Sequence, residues 1–180
     1  MTDTPVSTAL FARPISRSDF IALFGGLYEH SPWVAEAVWP GIERGDISAA
    51  TALIDAMQTA VDVSPDETKL ALIRAHPELA GRAAIAGDLT EDSRSEQSGA
   101  GLDQCTPDEF ERFQTLNADY NARFAFPFII AVRGLTRHDI LKAFETRLEN
   151  TLEAERQTAM TQIHKIARLR FEQLDPALFA

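Results

Sequence analysis

The sequence predicts an all-α protein, and three observations support this. Apolar residues recur at spacings of three and four along most of the 180-residue chain, as in amphipathic helices. Runs that alternate apolar and polar residues, as half-buried strands do, are almost absent. Helix-start signals punctuate the pattern, and capping boxes with proline at the first helical position occur at 64–67 and 106–109. We therefore predict a single-domain helical bundle of about seven or eight helices.

Four of these helices are predicted in the first half of the chain. The residues predicted to cap or open them are Ser18, Ser31, Asp46 and Ser64. Pro40 and Gly41 should end the second helix. The fourth should stop at Ala75 and His76, because the residue before Pro77 is pushed out of the helical conformation.

Four further helices are predicted in the second half of the chain. The residues predicted to cap or open its helices are Thr90, Thr106, Thr136 and Asn150. The apolar run at 126–132 is predicted to be buried, in either an extended or a helical conformation. Residues 1–17 are predicted to form a loosely attached, flexible arm, and 18–180 a single all-α domain.

Composition excludes several classes of partner. Lys and Arg total 17 against 27 Asp and Glu, and the net charge of −10 repels phosphate backbones and anionic lipid surfaces. No run of 18 apolar residues exists, so no membrane span is predicted. Cys105 is the only cysteine and cannot form an internal disulfide, and Asp3 stands where a secretory signal would be basic. We therefore expect a cytoplasmic protein without nucleic-acid or membrane partners.

His76 is the first candidate for chemistry because of where it lies. It falls at the predicted break before Pro77, with Arg74 before it and Arg82 after it. A histidine at such a break can project into a cleft, and imidazole exchanges protons near neutral pH. An ordinary exposed loop histidine fits the same pattern, so position alone leaves both interpretations open.

The second candidate is a polar helix face. The helix that Thr90 opens carries four residues at i, i+3, i+4 and i+7, namely Ser93, Glu96, Gln97 and Ala100. Such a face lines a site if it points inward and is simply solvated if it points outward. An inward-facing Glu96 would need a partner, because a lone buried carboxylate is costly.

The third candidate is the apolar run at 126–132. It leads into Arg133 and Gly134, so it suits a flat heterocycle beside an arginine, although it could equally be ordinary core. Arg168 and Arg170 lie among apolar residues of the last helix. They would either reach a pocket or extend along the surface with their charge in water.

No metal or cofactor site is predicted. The histidines show no short ligand spacing, cysteine pairs are absent, and there is no phosphate-binding glycine loop, nucleophile elbow or dinucleotide fingerprint. Cys105 could be a nucleophile, but no histidine lies near it in sequence, so an inert thiol is the preferred interpretation.

Several short motifs follow one another along the chain. They are HPELAGR at 76–82, LT at 89–90, Ser93 with EQ at 96–97, AGL at 100–102 and FPFI at 126–129. In this order and spacing they resemble the signature of OHCU decarboxylases, where OHCU is 2-oxo-4-hydroxy-4-carboxy-5-ureidoimidazoline. The resemblance runs from about Phe20 to Phe171 and includes 116–120, 147–150 and 166–170. Glu78 stands where the family often has aspartate, a conservative difference.

The resemblance implies a homodimeric, cofactor-free decarboxylase that converts a small anionic ureidoimidazoline, OHCU, to S-allantoin in urate breakdown. By position in the motifs, His76 matches the proton donor of the family and Glu96 the glutamate that assists it. The residues that match substrate contacts are Pro77, Ser93, Arg94, Ser95, Glu96, Gln97, Phe128, Ile129, Ile130, Ala131, Val132 and Arg170.

Two other functions stay open at this point. A helical binding module without catalysis predicts that the polar residues at 76, 93, 96 and 97 do not converge. An enzyme for a different ureido compound predicts a polar cluster but no turnover of OHCU.

Overall fold

The structure is a computed structural model that describes residues 3–81, 84 and 86–180. Within these residues it is all-α, as predicted, with eight α-helices and without strands. In chain order they are α1 (Arg17–Phe24), α2 (Trp33–Arg44), α3 (Ala50–Asp62), α4 (Asp66–Arg74), α5 (Glu91–Gly99), α6 (Pro107–Phe124), α7 (Arg137–Arg147) and α8 (Leu152–Phe171). Arg82, the last residue of the 76–82 motif, lies outside the described residues. In the described ranges, no helix has both the length and the apolar character needed to cross a membrane.

Threonine caps start three helices as predicted. The Thr90 side chain accepts a hydrogen bond from the backbone N–H three residues later. Thr106 forms a reciprocal capping box with Glu109, and Thr136 forms one with Asp139. These local signals set the starts of α5, α6 and α7.

Two predicted caps in the first half of the chain are wrong. Ser16, not Ser18, caps α1, because the Ser16 hydroxyl accepts from the backbone N–H of Asp19 at 3.2 Å. Asp46 does not cap α3, since its carboxylate accepts from Arg44 Nε at 2.8 Å.

The predicted end of α2 is also wrong. The helix continues through Pro40 and Gly41 and stops only at Gly45, which has a left-handed φ of 74°. Proline removes one helical hydrogen bond, but Trp39 and Ile42 on either side are buried. Burial of these side chains offsets the missing bond.

The described residues form two compact units. One contains the residues up to Leu72 together with Ile166–Ala180, and the other is Ile73–Lys165. In the first unit α1 packs on α2 and α2 on α3, and in the second α6 packs on α7. All the candidate residues except Arg168 and Arg170 belong to the second unit.

Aromatic packing builds the core of the first unit around Phe24. Its ring centroid lies 4.8 Å from Phe20, 5.8 Å from Phe11 and 6.3 Å from Phe179. Phe11 belongs to the segment predicted to be an arm, and it is buried. That residues 1–17 are flexible stays a prediction.

Tyr120 occupies the centre of the aromatic core of the second unit. Its ring centroid lies 4.6 Å from Phe124, 5.9 Å from Phe126, 5.3 Å from Phe128 and 5.9 Å from Phe144. Phe128 and Phe144 also stack, with centroids 3.7 Å apart. The apolar run that begins at Phe126 is therefore part of this core.

The segment at 126–132 is neither helix nor strand, so side chains satisfy its backbone. The Ile129 carbonyl accepts from Arg147 Nη1 at 2.6 Å, and the Ala131 N–H donates to Gln162 Oε1 at 3.0 Å. These two contacts hold the segment in its irregular conformation.

Glu155 on α8 is a fully buried carboxylate with several donors. It accepts from the Tyr120 hydroxyl, from two guanidinium nitrogens of Arg147 and from the Asn150 amide at 2.7 Å. Arg147 also lies over the Phe128 ring, 4.3 Å from its centroid. Burial, together with the hydrogen bond to Glu155, raises the pKa of Tyr120. Tyr120 therefore donates to Glu155 as a neutral phenol.

Phe11→Ala tests whether the arm segment contributes to the core. We expect the free energy of unfolding to fall by about 3 kcal/mol, because the change removes a buried ring. Urea denaturation followed by circular dichroism measures this. The control is Leu23→Ala, at a 40% exposed side chain, which should cost less than about 1 kcal/mol. Equal effects of the two changes would mean that Phe11 is not part of the core.

Glu155→Ala tests the buried ion pair. It should lower the free energy of unfolding by about 3–5 kcal/mol, because it leaves the Arg147 guanidinium buried without its counter-charge. The matched control is Glu145→Ala, which breaks an exposed pair with Arg112 and should cost about 1 kcal/mol or less. Denaturant titrations of both variants would contradict this expectation if the two losses were similar.

Candidate functional site

His76 lies where the sequence predicted a helix break. α4 ends at Arg74, and the His76 N–H donates to the Ile73 carbonyl at 3.2 Å before Pro77 turns the chain away. The residue is 8% exposed, so the interpretation as an ordinary exposed loop histidine is wrong. A buried imidazole after a helix end is a candidate for proton transfer.

Residues 77–81, which we call the 77–81 loop, make a tight turn directly after His76. Ala80 has a left-handed φ of 50°. A Cβ atom at Gly81 would lie 2.6 Å from the Glu78 Cβ, too close for any residue but glycine. The motif that contains His76 is thus constrained in its backbone as well as in its side chains.

Gln97 on α5 binds this loop through both ends of its amide. Its Oε1 accepts from the Ala80 N–H at 3.0 Å, and its Nε2 donates to the Glu78 carbonyl at 3.3 Å. Gln97 is itself buried. It therefore ties α5 to the segment that follows His76.

Three further amides reach the 77–81 loop from α6, and we call Gln114, Asn117 and Asn121 the α6 amide stripe. They lie at i, i+3 and i+7, so they share one side of the helix. In that order they donate to the Ala80 carbonyl at 2.8 Å, the Leu79 carbonyl at 2.9 Å and Glu78 Oε1 at 2.6 Å. Among the described residues, the buried Oδ1 of Asn117 has no hydrogen-bond partner.

The predicted polar face of α5 points into the second unit. Ser93, Gln97 and Ala100 are buried, and Glu96 is half-buried. Ser95, in contrast, is exposed. The interpretation of this four-residue face as purely solvated is therefore wrong.

Arg94 is exposed, and its Nη2 donates to the Gly87 and Leu89 carbonyls at 3.0 and 3.3 Å. With Gln97 it lines a cavity of about 660 Å³. Cys105 lines the same cavity, and burial raises the pKa of its thiol. A raised pKa disfavours the thiolate, which agrees with the inert interpretation.

The predicted apolar contacts are mostly inside the second unit. Phe128, Ile129, Ala131 and Val132 are buried, while Ile130 is half-buried. The contacts of this segment with Arg147 and Gln162, described above, fix its backbone. The segment is therefore mostly core, and Ile130 is its most accessible residue.

Arg170 belongs to the first unit, where its Nη1 donates to the Glu29 carboxylate at 2.7 Å. Both residues are buried, so the interpretation of Arg170 as a surface arginine is wrong. Arg168 is partly exposed and pairs with Asp55 at 2.7 Å. Arg133 is exposed.

Some supporting residues were not singled out by their sequence. The stripe residues Gln114 and Asn121 and the acceptor Gln162 lie in helices whose polar residues look like ordinary surface. The available signal was the i, i+3, i+7 spacing of three amides on α6. Within the described stretches of chain, no three His, Cys, Asp or Glu side chains cluster in a way that could hold a metal ion.

Comparisons with known proteins agree on one family. The family model described as OHCU decarboxylase matches residues 13–172. The 2-oxo-4-hydroxy-4-carboxy-5-ureidoimidazoline decarboxylase of Halalkalicoccus jeotgali is 37% identical over 93% of each chain. The protein of that name from Mus musculus is 36% identical over 87% of this chain and 86% of its own.

Solved structures give the same result. A crystal structure of (S)-allantoin synthase matches 88% of this chain and 50% of its own, with 34% identity and a TM-score of 0.70. A crystal structure of OHCU decarboxylase in the presence of (S)-allantoin matches 69% and 80%, with 25% identity and a TM-score of 0.57. The family model spans most of the chain, and the relatives exceed 30% identity at nearly full length. The chain therefore belongs to the OHCU decarboxylase family.

Proposed function

We propose that this protein decarboxylates OHCU to S-allantoin in urate degradation, as a carboxy-lyase. The observation that carries the proposal is the placement of His76, which is buried directly after α4 and followed by a loop that Gln97 ties to α5. The neighbour of Gln97 on α5 is Glu96. Membership of the family and the names of the relatives identify the substrate and product of the proposed reaction.

The substrate supplies its own electron sink. When the bond between C4 and the carboxylate breaks, CO₂ leaves and the electron pair forms a C4=C5 double bond as the ring imine nitrogen takes up charge. A proton then adds to C5, the C4 hydroxyl loses its proton to become the carbonyl of allantoin, and the ring nitrogen takes up a proton to become N–H. The net change is the loss of CO₂ and the gain of one proton.

The protein has three tasks in this reaction. It holds the carboxylate out of the ring plane, stabilises the developing charge and delivers the proton to one face of C5. In the proposal, His76 is the donor of that proton, assisted by Glu96. Delivery to a single face sets the S configuration.

Substrate binding in the proposal uses two surfaces of the second unit. The polar one consists of Pro77 and the α5 residues Ser93, Arg94, Ser95, Glu96 and Gln97. The apolar one is the 128–132 segment, whose backbone Arg147 and Gln162 fix. Arg170 lies in the first unit with Glu29 as its counter-charge, and its role as a substrate contact stays a prediction from the family resemblance.

The homodimer and the cytoplasmic location are part of the same proposal. The family resemblance supports the dimer. The single cysteine is compatible with a reducing compartment.

His76→Gln tests the reaction and its proposed acid together. OHCU is generated from urate with urate oxidase and hydroxyisourate hydrolase, and S-allantoin is followed by circular dichroism. The wild type should accelerate its formation, and His76→Gln should lower kcat about 100- to 10,000-fold, the usual contribution of a general acid.

The control is His138→Gln, at a histidine whose side chain is 79% exposed, and it should keep wild-type kcat. A well-folded wild type that does not accelerate the reaction would reject the decarboxylase proposal. Full rate and full S selectivity in His76→Gln would reject His76 as the proton donor.

A further inference from the structure

We propose that the α6 amide stripe is a positioning device that sets the location of the His76 imidazole. Gln114, Asn117 and Asn121 would thereby control kcat and stereoselectivity while leaving substrate affinity nearly unchanged. This inference rests on the proposed function of His76.

Each amide of the stripe binds a different residue of the 77–81 loop. The three amides bind Ala80, Leu79 and Glu78, so successive turns of α6 bind successive positions of the chain. A rigid helix thus fixes three neighbouring residues by three separate donors. Such a match favours one loop conformation over displaced alternatives.

The fixed loop is coupled directly to His76. Only Pro77 separates His76 from Glu78, and the proline ring locks its own φ angle. On the other side, the His76 N–H is bound to the last turns of α4. A shift of Glu78 is therefore transmitted to the histidine instead of being absorbed by flexible backbone.

Small displacements matter at a proton donor. Misplacement of a reacting group by about 1 Å can cost about 100-fold in rate. Among the proposed substrate contacts only Pro77 lies in the loop, and it is not one of the stripe's three acceptors, which are Glu78, Leu79 and Ala80. Loss of one stripe contact should therefore reduce kcat more than it raises KM.

The sharpest test is at the contact between Asn121 and Glu78. Asn121→Asp keeps the side-chain shape but replaces the Nδ2 donor, which lies 2.6 Å from Glu78 Oε1, with a carboxylate that repels the Glu78 carboxylate. We expect kcat to fall about tenfold or more and the S excess of allantoin to decrease, with KM within about twofold.

Two further variants make this test specific. Adding Glu78→Gln to Asn121→Asp restores a donor facing the carboxylate, and should recover most of the lost kcat and S excess. Ala122→Asp places the same charge on the same turn of α6 at an exposed position, and should keep wild-type kinetics. The His76 Cε1–H NMR signal should shift in Asn121→Asp and return in the double variant.

The outcomes separate the two proposals. An inactive but folded wild type would refute the proposed function, whereas the NMR comparison would still test the positioning of His76. An active wild type with unchanged kcat, S excess and His76 signal in Asn121→Asp would overturn the inference. Equal losses in Ala122→Asp and Asn121→Asp would also overturn it, because the charge alone would then explain the effect.

Discussion

A carboxylate removed from water is stable only when donors replace the water it has lost, and Glu155 depends on this condition. Its partners are Tyr120 on α6, Arg147 at the end of α7 and Asn150 in the following turn. One buried charge on α8 thus connects three helices. Without it the Tyr120 hydroxyl and two nitrogens of Arg147 would lose their acceptor inside the core, so the packing of the second unit depends on this group.

The same network extends to both surfaces of the proposed site. Arg147 carries it to the apolar segment through the Ile129 carbonyl. Tyr120 carries it to α6, where Asn117 lies three residues before it on the same side of the helix and Asn121 is the next residue in the chain. α6 therefore connects the buried ion pair to the 77–81 loop. The loop is therefore held by the core as well as by its own tight turn.

The features of the fold that depend on local sequence signals could be predicted. The all-α class, the three threonine caps and the break at His76 follow from periodicity, capping chemistry and the restriction before Pro77. The continuation of α2 through Pro40 was not predictable, because burial of Trp39 and Ile42 outweighs a local rule. A local pattern does not show which way a helix faces once it is packed.

The candidate site also contains both residues that could be predicted from the sequence and residues that could not. His76 and the α5 face could be proposed from motif and spacing, since the proposed chemistry requires those side-chain types. The roles of Gln114 and Asn121 could not, because an amide in a helix looks the same in sequence whether it meets water or a loop carbonyl. Only tertiary structure identifies the acceptor.

The choice of amides has a physical reason. A loop beside a proton donor could be held by charged side chains, but each charge would also change the proton affinity of the donor. Gln97 and the three stripe amides are neutral, so they fix the backbone without adding charge. Glu78 is the one charged residue of the 77–81 loop. It accepts a hydrogen bond from Asn121, and this bond disperses the charge of the Glu78 carboxylate. In the proposed reaction, neutral groups can thus set the orientation of His76 while Glu96 acts on its proton affinity.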